Sequence, residues 1–232
     1  MPRISPFAGL LFDITVVGPL DRVTAPPYDV ISPQEEARYR NDSPHNIVRL
    51  VLARSRPGDL EDEEKYRRAA SYLEAWRSEG ALVEDPEPRY YPYEMRFSFH
   101  GRRRRVRGLI CQVRLEDWGG SIRPHEEVMS GPVEDRLHLM RASRTNLSAV
   151  YGVLSGPCPE LGELLESAVA ETPAVVTTDE DGVEHSLWSV AAENDVAPSL
   201  EAHPLMIADG HHRYTMALRY RDEMRERFGP SR

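Results

Sequence analysis

The chain has 232 residues, 40% of them hydrophobic and 29% charged, which is enough apolar material for a packed core and excludes wholesale disorder. A net charge of −9 and a pI near 5.4 argue against a nucleic-acid partner, since a generic nucleic-acid binder carries a basic footprint. Two cysteines, Cys111 and Cys158, give no disulfide framework of the secreted kind.

No apolar run approaches the roughly 20 residues needed to span a bilayer. Met1-Pro2-Arg3-Ile4-Ser5 lacks the charged and apolar regions of a signal peptide. A cytoplasmic location with no membrane partner is the expectation. Cys111 sits in an apolar strand pattern and reads as a buried small hydrophobe.

In chain order, Phe7, Leu10, Leu11, Phe12 and residues 14–17 fit short strands. Ala25-Pro26-Pro27-Tyr28-Asp29-Val30 cannot be helical, because its prolines lack donors and push the preceding residue extended; it presents Tyr28 and Asp29 on a stiff segment. Ser32-Pro33-Gln34-Glu35 is a helix start with the residues of a capping box, and that helix runs to about Asn41. Residues 46–53 read as a strand, and residues 54–59 as a loop around Pro57-Gly58. Residues 61–79 form the clearest helix of the first half, with Tyr66, Ala69, Ala70, Leu73 and Trp76 at helical spacing and Gly80 as its stop. Its opening acids, Glu61, Asp62, Glu63 and Glu64, complement the positive helix start.

The chain reads as one domain over residues 1–232, with a sub-boundary candidate near 80–90 at Asp85-Pro86-Glu87-Pro88. Residues 90–99 and 105–115 pattern as a hairpin turning at His100-Gly101. Arg102, Arg103, Arg104, Arg105 and Arg107 are the one dense positive patch along the sequence. They read first as a solvated hairpin arm and second as a phosphate or nucleic-acid contact. Gly119-Gly120 opens a loop carrying Arg123-Pro124-His125-Glu126-Glu127. A helix from Ser130 then puts Val133, Leu137 and Met140 on one face and Glu134, Asp135, Arg136, His138 and Arg141 opposite; Arg144-Thr145-Asn146 ends it before a strand over 147–154. Residues 159–172 are helical, 174–178 and 183–190 form a hairpin about Asp181-Gly182, and 191–203 fit at most a short polar helix. A strand at 204–208 leads into Asp209-Gly210 and a closing helix over 211–228. Mixed strands, helices and hairpins predict an α+β fold rather than a doubly wound sheet.

The densest chemistry lies at residues 205–214. Asp209 can bind a cation or accept a proton, and Gly210 permits a tight turn or a close approach to a ligand. His211, His212 and Arg213 fall where a helix N-terminus offers free N–H groups to an anion. A plain strand-to-helix turn, with Asp-Gly turning and the histidines capping, is the alternative.

In these motifs the chain resembles the bacterial and archaeal family known as domain of unknown function 1015. The resemblance is carried, in order, by Pro6-Phe7-Ala8-Gly9-Leu10, Ala25-Pro26-Pro27-Tyr28-Asp29-Val30-Ile31-Ser32, His125-Glu126, Asp135-Arg136-Leu137, Asn146-Leu147-Ser148, Asp181-Gly182-Val183, Leu187-Trp188 and Ala208-Asp209-Gly210-His211-His212-Arg213-Tyr214. Family members continue well beyond the last motif, so this chain is expected to be the N-terminal part of a longer architecture. The Asp-Gly-His-His-Arg element is also similar to a motif of the ParB/sulfiredoxin-like superfamily, whose turn and helix N-terminus hold nucleotide phosphates. Superfamily members include nucleotidases, sulfiredoxins and free-serine kinases.

Phosphoryl transfer asks a protein for positioning and charge neutralisation. Gly210 and the first amides of the last helix can cradle phosphate, Arg213 can pair with it, and His211 and His212 can donate to it. Asp209 is the expected Mg2+ ligand, with ATP or ADP as the expected nucleotide. Glu126, beside His125, is the expected base toward a small-molecule hydroxyl, with Asp29 in reserve. Arg144 and Asn146, with Asp135 and Arg136, are candidate phosphate or substrate contacts, against the plainer reading of helix-surface ion pairs and a helix C-cap. Two other classes stay open. One is a non-catalytic nucleotide sensor. The other is a metal-dependent hydrolase using His125, His203, His211, His212 and Asp209, although adjacent histidines lack the i, i+4 spacing of the helical zinc motif. A sulfiredoxin-like reductase would want a cysteine where His211 stands. The sequence assigns neither substrate nor oligomeric state.

Overall fold

The computed structural model describes residues 1–126, 130–193 and 196–229, apart from the side chains of residues 130–132. Glu127 of the loop singled out above lies outside the described residues. The chain opens with strands β1 (Ile4–Ser5) and β2 (Leu10–Phe12), a one-turn helix α1 (Ile14–Val17) and a 3-10 turn at Leu20–Arg22. Residues 14–17 are thus helical, where β-branched content predicts a strand. The Asp13 carboxylate accepts from the Thr15 N–H at 2.8 Å and the Thr15 hydroxyl at 2.6 Å, and this local cap outweighs β propensity. Residues 25–30 are non-helical as expected, and close a turn in which the Val30 N–H donates to the Pro27 carbonyl. Helix α2 (Pro33–Asp42) opens on the predicted capping box, with the Ser32 hydroxyl and the Glu35 carboxylate each accepting from the other's N–H.

The predicted strand over 46–53 is instead a single helical turn, α3 (Val48–Val51). Buried Asn46 decides this. Its amide donates to the Arg22 and Thr24 carbonyls at 2.9 and 3.0 Å, and its side-chain oxygen accepts from the Val48 N–H at 3.0 Å. Leu50 then packs with Leu73, Trp76, Ala81 and Leu82. Helix α4 (Glu64–Ser78) buries Tyr66, Ala69, Leu73 and Trp76, the face read from the spacing, and Gly80 follows at φ +77°.

Strand β3 (Leu82–Glu84) pairs with β2. The predicted hairpin is β4 (Arg89–Phe99) and β5 (Arg102–Ile110), turning through His100 and Gly101, both at positive φ. Arg102, Arg103, Arg104 and Arg105 are exposed, as a solvated arm requires. Cys111 is half-buried rather than fully buried as its pattern predicts, and the burial it has raises its thiol to about 11. Strand β6 (Gln112–Val113) returns to β1, and β7 (Ile122–Arg123) precedes α5 (Ser130–Ser143).

Helix α5 buries Val133, Leu137 and Met140 as expected, but Arg136, assigned to the solvated face, is only 7% exposed. Met216 packs against one side of α5 while Tyr66 and Ala69 meet Leu139 on another, so this helix has no fully polar face. Strand β8 (Tyr151–Leu154) is shorter than the 147–154 run expected. Helix α6 (Pro159–Val169), strands β9 (Val175–Thr178), β10 (Glu184–Leu187) and β11 (Val190–Ala191), and the short helix α7 (Ala197–Glu201) follow. Finally β12 (Leu205–Asp209) and α8 (His211–Phe228) fall where the sequence places them.

Strand β4 organises a five-stranded antiparallel sheet with β5, β9, β10 and β11. A separate three-stranded sheet runs β7-β12-β8, and β7–β12 is the only parallel pairing among the described residues. The fold is α+β. No helix among the described residues is long and apolar enough to cross a membrane.

Candidate functional site

Strand β12 is the middle strand of its sheet, and its buried Ile207 packs with Ile122, Tyr214 and Leu218. Pairing with β8 shifts register between Ile207 and Asp209, a bulge that leaves Ala208 unpaired and re-aims the end of the strand. Gly210 then takes φ 93° and ψ 28° as N-cap of α8, without a side-chain cap of its own. A Cβ here would be strained by the left-handed backbone and would sit 3.0 Å from the Arg213 guanidinium. The missing side chain is therefore what lets Arg213 fold back across the helix start.

Arg213 is fixed there by the Asp209 carboxylate and the Ala149 carbonyl. Its side chain is 13% exposed and that of Asp209 58%. One carboxylate oxygen of Asp209 meets Arg213, and among the described residues no side-chain hydrogen bond reaches the other.

His211 is 1% exposed. Its Nε2 accepts from the His125 N–H at 3.3 Å, so the neutral ring carries its proton on Nδ1. That Nδ1 lies 3.0 Å from Glu126 Oε1, ion-pair range but off the line of a good hydrogen bond. The His125 ring crosses that of His211 edge-on at 4.5 Å, and Trp118 stacks on the other side at 6.4 Å. His125 Nδ1 is 2.6 Å from the Ile207 carbonyl, which can only accept. Its Nε2 is thus left with a lone pair on an exposed residue. His212 Nε2 and Thr215 Oγ1, in the first turn and just after it, are buried without a partner among the described residues, the kind of atom a ligand or water satisfies.

The proline-stiffened segment reaches the same place. The Arg136 guanidinium lies 4.1 Å from the Tyr28 ring centroid. Burial raises the Tyr28 phenol; the charges of Arg136 and Arg213 oppose that rise while those of Asp29 and Asp135 add to it. Tyr28 therefore stands within electrostatic reach of both arginines, with Asp29 beside it. Asp135 is tied to Arg136 and accepts from the Tyr66 hydroxyl at 2.7 Å.

Of the residues singled out in the sequence, His125, Glu126, Asp209, Gly210, His211, His212 and Arg213 are thus neighbours, while among the described residues no hydrogen bond or ion pair ties Asp29 to them. Arg144 and Asn146 are not brought in. Both are exposed, and Arg144 ends α5 at φ 51° with its N–H on the Met140 carbonyl at 2.8 Å. Among the described residues no hydrogen bond or ion pair ties either of them to α8. No group of three or more His, Cys, Asp or Glu that could hold a metal forms among the described residues either, so His203 and the histidines of the loop and α8 do not make the multi-ligand site a hydrolase would want. The sequence reading missed Trp118 and the Ala149 carbonyl. The Trp118-Gly119-Gly120 step was visible as a loop start but offered no sign of the ring's partner.

The geometry makes two consequences measurable. Tyr214 Oη donates to the Glu116 carbonyl at 2.7 Å and accepts from the Glu116 N–H at 3.0 Å, pinning α8 beneath the site. Tyr214→Phe strands both backbone groups and should cost about 1–3 kcal/mol in chemical denaturation; a change within error would show that water replaces the hydroxyl freely. Burial holds the His211 imidazole below its ordinary value, outweighing the opposing pull of Glu126. Between the two values the unfolded chain binds more protons, so the stability of the neutral ring is complete above about 6.5 and is lost as pH falls through the folded value. The melting temperature should drop on acidification through that window, and drop less in His211→Gln. Equal drops in both proteins would count against a neutral buried His211.

Nothing among curated proteins or solved structures matches the chain. A family model described as a protein of unknown function, DUF1015, matches residues 4–231, and the chain belongs to that family.

Proposed function

We propose that the chain binds a nucleotide or another phosphorylated small molecule at the N-terminus of α8 and transfers a phosphoryl group to a small-molecule hydroxyl. The observation that carries this is Gly210. Its left-handed backbone and missing Cβ leave room for Arg213, held by Asp209 and the Ala149 carbonyl, across a helix start that has no side-chain cap. A buried His212 nitrogen without a partner among the described residues lies in the same turn. Helix amides and a guanidinium together favour a phosphate. An incoming phosphate competes with Asp209 for Arg213 and frees that carboxylate.

The donor set fits Mg2+, which is commonly held by one or two carboxylates with water and phosphate oxygens, better than a metal needing three protein ligands. When bound, the ion would neutralise charge on the phosphates. Glu126 takes the proton of the substrate hydroxyl, and His125 Nε2 lies on the adjacent residue to share that work. The bond from the terminal phosphorus to its bridging oxygen breaks, a bond from phosphorus to the substrate oxygen forms, and the shortened nucleotide leaves.

A nucleotide sensor without turnover is the second reading. It is favoured by Glu126 already facing His211 at 3.0 Å, a contact that can occupy the carboxylate without any proton transfer. Phosphorus NMR of the chain with ATP, Mg2+ and serine or other hydroxyl metabolites separates the two. A new phosphomonoester signal is the expected result, and bound nucleotide without any new signal would leave the sensor.

A further inference from the structure

Six cationic side chains converge on a second cavity of about 310 Å3, and none of its lining residues is acidic. They are Arg40 of α2, Arg49 of α3, Arg54 and Arg56 of the following loop, and Lys65 and Arg68 of α4. The chain as a whole carries a net charge of −9. Concentrating positive charge in one concavity of such a chain is unfavourable by like-charge repulsion unless an anion enters.

What holds these groups in place matters as much as their number. Arg40 Nη2 donates to the Leu52 carbonyl at 2.5 Å, Arg49 Nη2 to the Arg40 carbonyl at 2.5 Å, and Arg68 Nη1 to the Arg54 carbonyl at 2.8 Å. Arg56 Nη2 donates to the Tyr72 hydroxyl at 2.9 Å. These bonds orient guanidinium groups without neutralising them. Carboxylates outside the lining pair with Arg40, Lys65 and Arg68, through Glu36, Asp135 and Asp59. Among the described residues none pairs with Arg49, Arg54 or Arg56. Among the described residues the buried Arg49 Nε has no hydrogen-bond partner.

A solvated basic face would look different, as Arg102, Arg103, Arg104 and Arg105 on β5 do. Here the side chains of Arg40, Lys65 and Arg68 are 14%, 24% and 22% exposed. Burial tends to raise the Tyr72 phenol in the cavity wall, yet Arg56 and Arg49 bring it below its ordinary value. The wall carries six cationic side chains against three paired carboxylates.

We propose that this cavity binds a small polyanion carrying two or more phosphate groups. Three guanidinium groups without carboxylate partners exceed what one phosphate engages through bidentate pairing. The volume suits a small molecule rather than a nucleic-acid groove. The site shares no lining residue with the α8 N-terminus and does not depend on the function proposed there.

Isothermal titration of the whole chain with sodium tripolyphosphate, inorganic phosphate and a single-stranded oligonucleotide tests it, using wild type, Arg54→Glu, Arg56→Glu and Arg213→Gln. Arg54 and Arg56 are exposed rim residues, so both charge reversals should fold, and a thermal melt checks that. Tripolyphosphate should bind wild type, more weakly as salt is raised, and lose about tenfold or more in affinity in each rim variant. Inorganic phosphate should bind about tenfold or more weakly than tripolyphosphate. Arg213→Gln should keep this binding event, whether or not a second event at α8 disappears. Absence of tripolyphosphate binding, unchanged affinity in the folded rim variants, loss of all binding in Arg213→Gln, or tighter binding of the oligonucleotide would each overturn the proposal.

Discussion

Glu94→Ala is expected to destabilise the folded chain by about 3–5 kcal/mol, the range for breaking one side of a buried ion pair. Glu94 is 0% exposed in the middle of β4, with Arg96 Nε on one carboxylate oxygen at 2.5 Å and Arg107 Nε on the other. Burial alone would raise this carboxyl, but the two guanidinium groups more than offset it and hold it ionised below its ordinary value. Truncation removes the negative centre and leaves Arg107, whose side chain is 12% exposed, with only Glu166 at 2.6 Å. Urea denaturation measures the loss. The paired replacement Glu94→Leu with Arg107→Leu should recover much of it, because two apolar side chains leave no charge behind. A single-variant loss below about 1 kcal/mol would mean that water already reaches the pair.

The second large effect concerns chemistry. If Glu126 is the base, Glu126→Gln should lower turnover by about 10²- to 10⁴-fold while leaving nucleotide affinity within a few-fold of wild type. The amide keeps the shape of the side chain facing His211 but cannot accept a proton. Steady-state kinetics alongside titration distinguishes this from a positioning role, in which affinity and turnover fall together. Undiminished turnover in Glu126→Gln would move the base to His125, whose Nε2 is the other acceptor among the described residues of the loop, or to Asp29, the sequence's reserve candidate.

Much of this was legible in the sequence where the signal is local. The capping box at Ser32 and Glu35, the spacing in α4, the hairpin at His100-Gly101 and the β12–Gly210–α8 step all depend on residues close together in the chain. The errors share the opposite origin. Residues 46–53 look like a strand until Asn46 finds the Arg22 and Thr24 carbonyls, more than twenty positions away. Arg136 looks solvated until α4 and α8 cover both flanks of α5 and Tyr28 lies over its guanidinium. The dense arginine run on β5 drew attention, and the structure leaves most of it in water. The more concentrated basic cavity is invisible in sequence, because its side chains come from α2, α3, a loop and α4, interleaved with acids that pair with only three of them. At the candidate site the chemical residue types could be read directly. Their convergence could not, since His125 and His211 are 86 positions apart.

The central claim is that the N-terminus of α8 binds phosphate, and titration of ATP and ADP, with and without Mg2+, into wild type and Arg213→Gln tests it most directly. Nucleotide should bind wild type more tightly when Mg2+ is present, with affinity reduced about tenfold or more in Arg213→Gln, the loss of a charged hydrogen-bond partner. Failure of both nucleotides to bind, or affinity indifferent to Arg213, would contradict it.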